Sequence, residues 1–197
     1  MNILGFETTD NTASVALLTD ETIAETVLDC SKKHSESVLP AAEELLRMQG
    51  LSINDIDLFA VDVGPGSFTG VRIGVCLANA LGFANNKPIV AVNALEALAE
   101  SINSSGEPVC VLIDARNGNG YGAVYQDNTC LISPCACEIQ HFLSTIPRGC
   151  IMTGSACADS AFPKASSIVR LAAKKEGRPQ VSPLYLKLSQ AERMRHD

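Results

Sequence analysis

Glu7, Asp62 and Asp114 are the acids best placed to do chemistry, because each stands in or at the end of a short apolar run that reads as a strand. In a nucleotide-hydrolysing protein such a carboxylate works beside the γ-phosphate and its Mg²⁺; in a nuclease, two of them hold metal ions about 4 Å apart. Each also has a structural task open to it. Glu7 can serve a turn, Asp62 sits in a mostly apolar strand, and Asp114 can orient the turn at Arg116. With no second acidic cluster in the chain, the structural task is favoured for all three. Histidines supply no metal set, since His34, His141 and His196 are scattered and lack ligand spacing.

The other chemical candidate is the glycine-rich run Gly64-Pro65-Gly66-Ser67-Phe68-Thr69-Gly70. Its glycines permit close backbone approach, and Ser67 or Thr69 can cap the helix behind it, so the loop could offer amide N–H groups to an anion. A structural strand-to-helix turn explains it equally well. No Gly-Lys-Ser/Thr follows, so it is not a P-loop, and Gly66 directly precedes Ser67, so it is not a hydrolase nucleophile elbow. Beyond it, Gly70, Gly74, Ala78 and Gly82 recur every four residues. Glycine inside a helix costs about 0.5–1 kcal/mol against alanine, which calls for the close approach of a neighbour, in this chain or in a partner.

Eight cysteines could suggest disulfides or zinc, but Cys135-Ala136-Cys137 leaves one intervening residue and no paired CxxC follows. Free thiols are expected, with Cys30, Cys76 and Cys110 as small buried hydrophobes. Charge is uneven beneath a net of −7: residues 1–103 hold 14 acids and 5 bases, and from Lys164 onward eight bases face three acids. That basic segment reads as a solvated helix face rather than an RNA contact, because no aromatic or Arg-rich motif accompanies it. With no membrane-length apolar run and no leader pattern, the expectation is a soluble, cytoplasmic protein.

Positioning these residues requires a particular series of elements. Strands at 3–6 and 13–18 flank the turn residues Thr8-Thr9-Asp10-Asn11, and 23–28 adds a third. A helix runs from a cap at Ser35 to Gly50, with Pro40 shifting its start or kinking it. Strand 58–63, helix 69–84, strand 88–92 and helix 94–102 follow. The order β-β-β-α-β-α-β-α predicts a mixed sheet with helices on its faces. The fold class is therefore α/β: an actin-like (ASKHA, ribonuclease-H-like) two-lobed fold with mixed sheets flanked by helices. Polar residues 103–106 divide a first lobe, 1–103, from a smaller lobe, 104–165, and residues 166–197 form a C-terminal helix and tail packing back on the first. In the second lobe, strands at 109–113 and 121–125 join through an Asn/Gly turn, a helix lies near 138–144 and a strand at 150–153. The final helix spans 166–176, and Pro183 keeps 181–186 extended before a frayed end.

Gly-Pro-Gly-Ser-Phe-Thr-Gly-Val-Arg-Ile-Gly at 64–74 resembles the signature of the TsaB (YeaZ) family. The features around it agree in order: Ile3-Leu4-Gly5-Phe6-Glu7-Thr8-Thr9, His34 to Pro40, Val111 to Arg116, and Pro183-Leu184-Tyr185-Leu186. The resemblance implies a non-catalytic scaffold or activating subunit. Such a subunit binds the catalytic paralogue TsaD, works with the ATPase TsaE, and serves threonylcarbamoyl transfer to the adenosine beside the tRNA anticodon. It implies no cofactor on this chain alone, with ATP and metal on the partner proteins, a homodimer when alone, and Glu7, Thr8 and Asp114 as the remains of a nucleotide cleft. The signature loop comprises Gly64, Pro65, Gly66, Ser67, Thr69, Gly70 and Arg72. The partner surface is placed on the early helices, so Gly70, Gly74, Ala78 and Gly82 are expected to meet another chain, flanked by Val38, Leu39, Ala42 and Leu45. The alternative is an actin-like ATPase or phosphotransferase with its own nucleotide site.

Overall fold

Strands β1 (Asn2–Glu7), β2 (Thr12–Thr19) and β3 (Thr22–Asp29) form an antiparallel meander, to which β4 (Leu58–Asp62) and β5 (Ile89–Val92) add in parallel, in the order β3-β2-β1-β4-β5. The structure is a computed structural model and describes residues 1–10, 12–20, 22–29, 34–102, 106–127 and 129–186. β1 and β4 read as nearly unbroken apolar runs because both faces of this sheet are covered. Leu4, Phe6, Phe59 and Val61 point to one face, under α1 (His34–Met48) and α2 (Phe68–Asn85). Ile3, Leu58, Ala60 and Val90 point to the other, under α5 (Ala165–Ala172).

A second sheet has the order β8-β7-β6-β9, from β6 (Val109–Asp114), β7 (Asn119–Gln126), β8 (Thr129–Glu138) and β9 (Ile151–Thr153). The helix α3 (Ala94–Glu100) packs Leu95 and Leu98 on Val109, Val111 and Ala123 of this sheet and touches α5 as well, so it joins the two halves. Outside, α4 (Ile139–Thr145) lays Phe142 over Gly122, where a Cβ would stand 2.8 Å from the ring.

Several boundaries differ from those expected. β8 is a ten-residue strand where the sequence looked irregular, because Pro134 and register shifts opposite Gly122 to Tyr125 break its alternation. α1 begins at His34, so Ser35 lies inside it rather than capping it, and Pro40 sits within the helix. α5 stops at Ala172 instead of 176. Cys76 is exposed on α2, not buried, whereas Cys110 is buried. The cysteines described are free thiols, and among the described residues no group of three or more His, Cys, Asp or Glu is arranged to hold a metal ion. No described helix is long and apolar enough to cross a membrane. Cys30, the lobe boundary at 103–105, and the tail 187–197 with Lys187, Arg193, Arg195 and His196 fall outside the described residues, as does the His34 side chain.

Candidate functional site

Two of the candidate acids meet at the ends of β1 and β4, wholly inside the protein. Glu7 and Asp62 are fully buried, and their oxygens serve the neighbouring backbone. Thr9 donates both its N–H and its hydroxyl to Glu7 Oε1, at 2.5 and 2.7 Å, and the same hydroxyl lies 3.4 Å from Asp62 Oδ2. Gly64 N–H donates to Asp62 Oδ1 at 2.7 Å. The Thr9 carbonyl then accepts from Ser67 N–H at 2.7 Å, so the two acids tie the end of β1 to the signature loop. Burial first, and the Asp62 charge second, hold the Glu7 carboxyl well above the usual carboxylate range; burial pushes Asp62 up to about 7.

The third acid is elsewhere. Asp114 is exposed at the end of β6, where its Oδ1 accepts from Arg116 N–H at 2.9 Å and so sets the left-handed turn at Arg116 and Asn117. Among the described residues, the crevice lined by Thr9, Asp10, Pro65, Gly66, Ile113 and Phe162 encloses about 10 Å³. That is roughly the space of one water, not of a nucleotide. The expected cleft of Glu7, Thr8 and Asp114 is thus not brought together: Glu7 and Thr8 are sealed and Asp114 serves a turn.

The small-residue stripe of α2 faces inward on its own chain. A Cβ on Gly70 would collide with the Thr8 carbonyl, one on Gly74 would stand 2.5 Å from Thr8 Oγ1, and one on Gly82 2.7 Å from Ile89. Ala78 is completely buried. The expectation of an interchain contact through Gly70, Gly74, Ala78 and Gly82 is corrected: the close neighbour is the first sheet. Val38, Ala42 and Leu45 likewise belong to the intrachain core, and of that α1 set Leu39 is the exposed one. Ser67 caps α2, accepting from Gly70 N–H at 3.3 Å, while Thr8 donates to the Gly70 carbonyl at 2.7 Å.

What α2 shows outward is Phe68, Arg72, Cys76, Ala80 and Phe83, the last 87% exposed. Between α1 and α2 opens an apolar groove of about 310 Å³ walled by Leu39, Leu46, Leu51, Ile53 and Leu81. An extended strap from Arg178 to Leu186 runs back along α2. It pairs with Ile89 through two backbone bonds, exchanges two with the Asn79 side chain at Val181, and donates Leu184 N–H to Val63. Sequence reasoning missed Thr9, Asn79, Phe83 and the pairing of Tyr185 with α2; the unexplained aromatic residues on a helix otherwise notable for its glycines were the available signal.

A family model described as TsaD, tRNA N6-adenosine threonylcarbamoyltransferase, matches residues 28–177. The chain belongs to that family. Within it the likeness is to the TsaB (YeaZ) members. The chain is 37% identical over 128 residues to the tRNA threonylcarbamoyladenosine biosynthesis protein TsaB of Escherichia coli (strain K12), covering 64% of this chain and 55% of that protein. Against TsaB of Bacillus subtilis (strain 168) it is 39% identical over 127 residues, covering 64% and 56%. The chain spans about half the length of these curated relatives. A Pseudomonas aeruginosa crystal structure, described as an uncharacterized protein with similarity to peptidase YEAZ, superposes with a TM-score of 0.81 at 26% identity, over 94% of this chain and 99% of that one. The two-sheet architecture is that of this actin-like TsaB (YeaZ) group.

Proposed function

We propose that the chain takes part in making threonylcarbamoyladenosine on tRNA as a subunit without catalysis of its own, which docks on a TsaD-type transferase and works with a TsaE-type ATPase. The observation that supports this most is the sealing of Glu7 and Asp62, whose oxygens are spent on Thr9 and Gly64 instead of facing a bound nucleotide. ATP and any metal the reaction needs are then carried by the partners.

The docking surface is the outer ridge of α2 with the groove beside α1. Its occupant is the TsaD-type subunit, because the family match over 28–177 spans both helices and so gives that subunit a like pair of helices. Related lobes pair through like surfaces as identical ones do about a two-fold axis. When the transferase is absent, a second copy of this chain takes the same place.

Sedimentation of the chain alone and with its transferase, combined with nucleoside mass analysis of tRNA, tests the reading. The chain alone should neither turn over ATP above background nor modify tRNA, and a heavier complex should form on mixing. ATP turnover by the chain alone that disappears in Glu7→Gln or Asp114→Asn overturns it in favour of an actin-like ATPase or phosphotransferase.

A further inference from the structure

Where the strap crosses the start of α2, two side chains of that helix and one of the strap lock together on the surface. The Phe68 and Tyr185 rings stack with centroids 5.3 Å apart and planes 30° from parallel. Arg72, one turn along α2, lays its guanidinium over Phe68, 3.8 Å from the ring centroid, and its Nε donates to the Tyr185 hydroxyl at 3.0 Å. The rings remain 45% and 48% exposed, and among the described residues no hydrogen bond or ion pair engages the two Nη groups of Arg72. A long, flexible side chain is thus held flat and in one orientation, with the paired end of its fork unspent.

Such an arrangement is preorganised for an anion. An arginine fork matches a carboxylate through two parallel N–H···O bonds, and flanking aromatic rings exclude water from the pair once a partner covers them. Exposed Tyr and Arg are also the residues that dominate protein contacts. Arg72 is the only charged residue of α2, so no carboxylate of its own helix competes for it. A chain of RNA phosphates would have to run along a lobe with 14 acids and 5 bases, whereas one carboxylate needs only this spot.

We propose that Phe68, Arg72 and Tyr185 form a clamp that receives a carboxylate side chain of the TsaD-type subunit and so fixes its register on the α2 ridge. The clamp rests on the docking face proposed above, and it adds that the strap, through Tyr185, is part of that face. Because the Tyr185 hydroxyl takes Nε, the carboxylate binds end-on to Nη1 and Nη2.

Association of the full chain with its transferase subunit is measured by titration calorimetry for wild type, Arg72→Ala, Arg72→Lys, Tyr185→Phe and Phe83→Asp, with a thermal melt of each. Arg72→Ala should weaken binding at least tenfold and flatten its salt dependence. Arg72→Lys, which keeps the charge and loses the fork, should weaken it several-fold, and Tyr185→Phe, which keeps the ring, should fall between wild type and Arg72→Ala. Binding by both Arg72 variants within twofold of wild type, while Phe83→Asp abolishes it, overturns the clamp and leaves the docking face standing. Wild-type binding by Phe83→Asp and the Arg72 variants together overturns both. Intact transferase binding with weaker capture of a tRNA probe by the Arg72→Ala complex assigns the site to RNA and overturns the clamp.

Discussion

The two faces of α2 share one helix and one stretch of sequence, yet obey opposite rules. On the inner face Gly70, Gly74 and Gly82 leave no space for a methyl group against Thr8 and Ile89. On the outer face Phe68, Arg72, Cys76 and Phe83 lie open to solvent. The comparison teaches that a stripe of small residues reports how near the neighbour is and nothing about which chain it belongs to. Here the nearness lets α2 settle on β1 and β4 closely enough for Thr8 to bond the Gly70 carbonyl.

Gly70→Leu breaks the inner face most severely. Its side chain would meet backbone, which cannot yield as a flexible side chain can, so the loss should exceed the ~1–3 kcal/mol of ordinary overpacking and leave little folded protein at about 37 °C by circular dichroism. Gly74→Leu, which meets a side-chain hydroxyl, should survive with a melting temperature lowered by roughly 5–10 °C.

Beneath the same face, the acid pair makes stability depend on pH. Both carboxyls have folded pKa values above their unfolded ones, so their contribution is fully present below about pH 4 and is lost as pH rises through the folded values, about 7 for Asp62 and well above the usual carboxylate range for Glu7. For Asp62 the change from 3.8 to about 7 corresponds to a few kcal/mol lost between about pH 4 and pH 8. Urea unfolding across that range should show the decline. Glu7→Gln keeps an acceptor for Thr9 N–H and removes the second buried charge, so its curve should be flatter and should cross above wild type at high pH. Equal slopes in the two proteins would show that folding leaves the Glu7 carboxyl at its ordinary pKa.

Smaller effects are expected toward the surface. Asn79→Ala removes both bonds to Val181 and should cost about 1–2 kcal/mol while loosening the strap, visible as faster amide exchange at Val181 and Leu184. Phe83→Asp should leave stability within about 0.5 kcal/mol of wild type and yet abolish association with the transferase. Unfolding of the Phe83→Asp variant would show that the ring is part of the core after all.

Much of the fold was legible because short-range physics specifies it. Apolar periodicity marked β1 to β5 and α1 to α3, and the Ser67 cap with Gly64 and Gly66 before it marked the strand-to-helix turn. Asp114 was legible as a turn residue because its partner, Arg116 N–H, is two residues away. The reading failed where partners are distant. The first-turn amides of α5 are satisfied by Ser14 and Glu25 from β2 and β3, and no pattern near Lys164 announces it. Glu7 and Asp62 likewise became neighbours only when β1 and β4 aligned side by side.

The sequence by itself determined β1 to β5 and α1 to α3, the mixed first sheet and the family likeness, since backbone propensity, capping and alternation act over a few residues. Only the tertiary structure decided which way α2 turns. A four-residue spacing places Gly70, Gly74, Ala78 and Gly82 on one face whether that face meets a sheet, a helix or a second chain. The choice follows from burying Val71, Val75 and Ala78 against Leu4, Phe6 and Val61, and that burial turns Phe68, Arg72 and Phe83 outward.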